Sequence, residues 1–209
     1  MVKKILLLTL LTAAAGFAQT INCVVAVVNG EIITLLDVEI AAEFGLGYES
    51  AEEPSPDPRL AALEVLIDRK VILGLAREAR GVNMDELAAA VADLRRVVGE
   101  EAYAAKLDKF GLDDKDIAPY LEDRILYDRA LGLRFSQSIP VSVTEVERHY
   151  RDIYVPERVR LGAAVDPFDR VAGTIESRIR GERRAQQTAS WVRDMRKRAD
   201  IQIKKDCLK

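Results

Sequence analysis

Apolar residues recur every three or four positions from Arg59 to Gly81, where Leu60, Leu63, Ile67, Val71 and Leu75 make one helical stripe. A second row, Val65, Ile72, Ala76 and Ala79, widens the stripe beyond what a single neighbouring helix covers. This helix is therefore expected at the centre of an α-rich domain. Pro56 and Pro58 close the loop before it, and Gly81 stands where a left-handed cap is needed. Upstream, the β-branched run VVAVV, the pair Asn29-Gly30 and the triplet Ile32-Ile33-Thr34 predict a hairpin with a type I′ turn. At Thr34 the period changes. Thr34 and Asp37 have the spacing of a helix cap, and Leu35, Val38 and Ala42 give a short apolar face that fades near Gly45 and Gly47. Tyr48 to Pro58 reads as a polar, proline-broken connection.

Downstream, Asn83 and Glu86 form a second cap pattern, opening a helix to about Val98 that buries Leu87, Val91, Leu94 and Val98. Glu100 to Phe110 is a shorter helix with Tyr103, Leu107 and Phe110 on one side, ended by Gly111. The acids Asp113, Asp114 and Asp116 suit the start of the next helix, which carries Ile117, Leu121, Ile125 and Leu126 and runs to about Phe135. Pro119 predicts a kink or a start delayed to Ala118. SIPVSV is an extended connection, Thr144 and Glu147 a third cap, and Pro156 the expected end of a helix through Tyr154. Arg158 to Val165 is a candidate strand. Ala172 to Arg198 reads as a long basic helix with Ile175, Ile179, Trp191, Val192 and Met195 as its apolar contacts. Ile201-Gln202-Ile203 alternates as a strand.

A two-stranded hairpin needs a third strand, and 201–203 supplies it. If Ile203 pairs with Val27 antiparallel, the same register sets Cys207 opposite Cys23. That predicts a Cys23–Cys207 disulfide, with free thiols or a lipidated Cys23 as the alternatives; Asn22 before Cys23 argues against lipidation. The fold class is mainly α, a multi-helix domain with a small antiparallel sheet made from an N-terminal hairpin and a C-terminal strand.

The N-terminus changes the compartment. Met1-Val2-Lys3-Lys4, a short apolar run and small residues at Gly16 and Ala18 describe a secretory signal peptide over 1–18, with an uncleaved anchor as the alternative. The expected location is the periplasm. The net charge of −3 becomes −5 when Lys3 and Lys4 leave with that segment, which argues against nucleic acid as a partner. No P-loop, nucleophile elbow or H-E-x-x-H is present, and the aspartates at 113–116 lack the glycine and terminal glutamate of a calcium loop. No cofactor, metal or catalytic residue is expected. The single histidine, His149, is expected at the surface or a helix end.

The order of VVAVVNGEIITLLDVE, LEVLIDRKVILGLAREARGV, GLDDKDIAPYLEDRILYDRAL and IPVSVTEVERHY resembles the SurA-like periplasmic chaperone family over Val24 to Tyr150, with the closing helix and strand from Ala172 to Ile203. The resemblance implies a chaperone domain over 19–155, completed by 172–209, that binds unfolded exported or outer-membrane polypeptides without ATP. Residues 156–171 stand where the family carries parvulin isomerase domains, so prolyl isomerase activity is not expected. Candidate contacts for such clients are Phe44, Tyr48, Tyr103, Phe110 and Phe135, with ordinary core packing as the alternative for each. A dedicated envelope assembly protein serving one partner is the alternative, in which the face of Arg178, Arg180, Arg183, Arg184, Arg193 and Arg196 docks an anionic partner or lipid headgroups. A homodimer that closes its own cleft is also open.

Overall fold

The protein is described here by a computed structural model that covers residues 23–46, 57–75 and 81–208. The segment 1–18, Tyr48, and Ala76 and Ala79 of the stretch predicted to continue the central helix lie outside the described residues. Strands β1 (Val24–Val28) and β2 (Glu31–Thr34) form the expected hairpin. Asn29 at φ 49° and Gly30 at φ 87° supply the two positive angles of its turn. Asn29 has a second task. Its backbone N–H donates to the Asp200 carbonyl at 2.8 Å, and its side-chain oxygen accepts from the Asp200 N–H at 3.0 Å. This sets β3 (Ile201–Ile203) along the other edge of β1, giving the order β2-β1-β3.

The register differs from the predicted one by one residue, because Ile203 faces Ala26 instead of Val27. Continued as strands, this register would not bring Cys207 to Cys23. The chain instead leaves the sheet in a 3₁₀ turn, Lys205–Leu208, which swings Cys207 back to a disulfide with Cys23, their Cα atoms 6.1 Å apart. The pairing was anticipated; its route was not.

Thr34 caps α1 (Leu35–Glu43) reciprocally, its hydroxyl accepting from the Asp37 N–H while the Asp37 carboxylate accepts from the Thr34 N–H at 2.7 Å. Helix α2 (Pro58–Leu75) lies at the centre of the core, as its two stripes require: Leu63, Ile67, Val71 and Ile72 are sealed among Val25, Val28, Ile33 and Val38. Its Lys70 bridges Glu31 of the hairpin at 3.1 Å and Asp123 of the fifth helix at 3.2 Å. Asn83 caps α3 (Met84–Val98) by accepting from the Glu86 N–H, while the Glu86 carboxylate turns away to pair with Arg129 at 2.8 Å. After α4 (Glu100–Phe110), Gly111 takes the left-handed cap at φ 65°. Helix α5 (Asp114–Arg134) starts at its Asp113 capping box and not at Ala118, and Pro119 lies inside it.

The second half departs further from expectation. Ser142 with Glu145, not Thr144 with Glu147, caps α6 (Val143–His149). Pro156 does not stop the helical path. A π turn, Tyr150–Tyr154, lets the Val155 N–H reach back to the Tyr150 carbonyl, and Pro156 then falls in the first turn of α7 (Val155–Arg160), where a missing N–H costs little. The predicted strand at 158–165 is the end of α7, a turn with Gly162 at φ 64° and an irregular return. Helix α8 begins four residues earlier than predicted and spans Phe168–Arg198.

Two regions result. The sheet, α1 to α5 and the last turns of α8 share one apolar core, and we call this the body. Helix α6, the π turn, α7 and the first half of α8 form an arm with a small core of its own, Val146, His149 and Ile175. Arg196 fastens α8 to the body by reaching Asp68 at 2.8 Å and Glu64 at 2.6 Å on α2. Burial pushes the Asp68 carboxyl above its usual value, with Arg196 pulling the other way.

Candidate binding cleft between body and arm

Phe135 ends α5, its N–H donating to the Leu131 carbonyl at 2.9 Å. The chain then runs without regular structure to Ser142, held against α8 through its carbonyls. Arg180 donates to the Ile139 oxygen at 3.2 Å and Arg183 to the Pro140 oxygen at 2.9 Å. Between this connector, the end of α5 and α8 lies an open cleft of about 630 Å³. Phe135 and Trp191 meet there edge to face, their ring centroids 5.8 Å apart. The Arg134 guanidinium covers both rings, at 5.6 Å from one centroid and 5.9 Å from the other. Ile139 and Pro140 extend the apolar lining, and Gln137, Ser138, Gln187, Ser190 and Asp194 supply the polar groups. Such a lining can hold an apolar side chain while amides and hydroxyls bond the backbone of an extended chain.

A second cleft, of about 480 Å³, lies between α1, the start of α2 and α4. Phe110 faces it beside an ion-pair cluster: Glu43 meets Lys106 at 2.8 Å and Lys109 at 2.6 Å. Hydrogen bonds from these two lysines hold the Glu43 carboxyl down at about 2. This pocket is charged where the first is aromatic.

The five predicted client contacts do not converge. Phe44 and Tyr103 are core residues, 3% and 1% exposed, that pack edge to face at 5.6 Å. They are unavailable to a client while the body is folded. The Tyr103 hydroxyl donates to Asp114 at 2.8 Å; burial first, and then that carboxylate, push its pKa up to about 12. Phe110 and Phe135 stand half-buried in different clefts, and Tyr48 lies outside the described residues. Sequence reasoning missed the cleft's other wall. The sequence marks Trp191 only as an apolar contact of its helix and Ile139-Pro140 only as a connector, and no local pattern joins them to Phe135.

Four of the six arginines on the α8 face are paired within the chain. Arg178 pairs with Glu182 and Glu157, Arg180 with Glu176, Arg183 with Glu145, and Arg196 with Glu64 and Asp68. His149 is at a helix end as expected but is buried, 8% exposed, where α6 passes into the π turn. Among the described residues, no helix is long and apolar enough to cross a membrane. No protein-family model matches the chain, and no curated protein does.

Proposed function

We propose that the protein is an ATP-independent holdase of the periplasm, related to the SurA-like chaperones, that binds unfolded exported or outer-membrane polypeptides. The observation that carries this reading is the Phe135–Trp191 cleft: aromatic, open, and edged by groups that bond a peptide backbone without demanding one sequence. Contacts of this kind hold a client weakly and release it when it folds. Residues 156–171 run through α7, a loop and the first turn of α8, where the SurA-like family carries an isomerase domain, and the reading includes no catalytic step.

Trp191 is the only tryptophan, so its fluorescence reports on the cleft directly. The chain from Gln19 is mixed with an unfolded porin and, separately, with an unrelated aggregating protein. Light scattering without ATP should fall for both at near-stoichiometric amounts, with a change in Trp191 emission and no acceleration of proline isomerisation. Phe135→Ala should weaken binding by about tenfold. No suppression at any ratio sinks the holdase reading and favours an assembly factor for a single partner.

A further inference from the structure

One wall of the Phe135–Trp191 cleft belongs to neither the body nor the arm. The connector that forms it leaves α5 in the body and enters α6 in the arm. Its Pro140 carbonyl hangs on Arg183 of α8, and that guanidinium is divided between two partners. One amino group donates to the Pro140 oxygen at 2.9 Å, the other to the Glu145 carboxylate of α6. Glu145 is divided in turn. Its Oε1 takes Arg183, while its Oε2 accepts from the Ser142 N–H and the Ser142 hydroxyl, each at 2.9 Å. Pro140 on the cleft wall and Ser142 at the start of the arm are therefore tied to the two halves of one ion pair. Arg180 repeats part of the pattern, bonding the Ile139 carbonyl at 3.2 Å and Glu176 of its own helix.

We propose that Arg183 is the positioning residue through which the arm controls the cleft. With α6 docked on α8 the wall is formed and an occupant is held; with α6 away the wall is released and the occupant leaves. This rests on the cleft being the site where clients bind. Arginine suits the post, because its planar fork holds a carbonyl and a carboxylate at fixed positions together, which a lysine ammonium does not. The two walls differ in what they are fastened to. Trp191 packs against the body's core, and Arg196 farther along the same helix is locked to Glu64 and Asp68 of α2. The connector instead depends on α6, whose buried side chains are Val146 and His149 alone. One wall stays and the other moves with the region that opens at lower cost. Such linkage is reciprocal: an occupant that needs the formed wall must hold the arm shut by the factor that arm opening costs its affinity. Release then requires no nucleotide.

The first half of the test needs no client. The full chain carrying Ser138→Cys is labelled there with bimane, which sits on the moving wall of the cleft that Trp191 lines and is quenched by that indole. In this background Arg183→Ala should raise bimane emission and speed hydrogen exchange in α6, with α2 unchanged. Arg183→Lys, which keeps the charge and loses the fork, should fall between. In the second half, binding is read by the anisotropy of fluorescein on reduced, carboxymethylated ribonuclease A, a permanently unfolded chain. Arg183→Ala should weaken it about tenfold and Glu145→Gln about fivefold, and the bound probe should slow exchange in α6 of the parent chain. Faster α6 exchange with unchanged bimane emission overturns the proposal. So does a probe that binds Arg183→Ala as tightly as the parent chain, an outcome that leaves the holdase reading intact. Bimane and α6 responding together, with no probe bound by the parent chain, supports the coupling and sinks the holdase reading instead.

Discussion

In the body, Val25, Ile67, Ile117 and Tyr103 are closed off from water, and apolar contact is continuous from the hairpin through α2 to α5. In the arm, among the described residues, only Val146, Ile175 and His149 are buried. What the arm lacks in core it replaces with stacked tyrosines, hydrogen bonds to Asp166 and ion pairs along α8. Apolar burial is not screened by salt, while exposed ion pairs weaken with it. The arm should therefore open locally at a lower free energy than the body unfolds, and more readily as ionic strength rises. A cleft at the boundary between a firm and a yielding region can adjust to different occupants without a change in the core.

The disulfide offers the largest perturbation. Replacing Cys23 and Cys207 by serine removes a closure spanning 184 residues, and should lower the body's stability in urea by up to about 5 kcal/mol. Arm amides should lose far less hydrogen-exchange protection than those of α2; equal losses would mean the two regions unfold as one. Next, Ile67→Ala should cost the body about 3 kcal/mol, whereas Ile175→Ala should act on arm amides and leave the main urea transition nearly in place. Tyr154→Phe deletes the bond to Asp166 and should raise exchange in α7 by an amount worth about 1 kcal/mol, with α2 and α5 unchanged.

The smallest effect is that of pH. Glu145 is held at about 2, against an ordinary 4.5, first by the Ser142 backbone N–H and then by Arg183. Glu43 in the body is held at about 2 by Lys106 and Lys109. A carboxyl lowered by folding stabilises above its unfolded value and loses that contribution as pH falls from about 4.5 toward 2. Both regions should weaken in that window, and Glu145→Gln should flatten the dependence in the arm alone. At the other extreme, burial holds Tyr103 and Tyr127 up at about 12, so the body should lose stability as pH rises from 10 toward 12.

How far the sequence could be read follows the same division. The body's elements announce themselves locally: Asn29-Gly30 makes its turn, Thr34 and Asp37 cap their helix, and the α2 stripes find their core. The arm depends on distant partners. Ser142-x-x-Glu145 and Thr144-x-x-Glu147 are equivalent as patterns, and the structure adopts the one whose glutamate meets Arg183 on another helix. Pro156 reads as a stop until a π turn shifts the register before it. The edge-to-face pairs of Phe44 with Tyr103 and of Phe135 with Trp191 join residues that no period connects. Core packing is open for each aromatic from its helix face, but the partner of each, and the cleft that Phe135 and Trp191 make, are not legible.

The order of strands in the sheet also bears on how the chain acquires its structure. β1 is the middle strand, yet one of its two neighbours begins at Ile201, after every helix from α1 to α8. Until that stretch arrives, β1 carries an open edge of unpaired N–H and carbonyl groups, the kind of surface that recruits strands from other molecules. Contacts between segments so far apart form slowly. Until residues 201–203 take their place the sheet is incomplete, and the partly folded chain presents the kind of open edge that strands of other molecules can join.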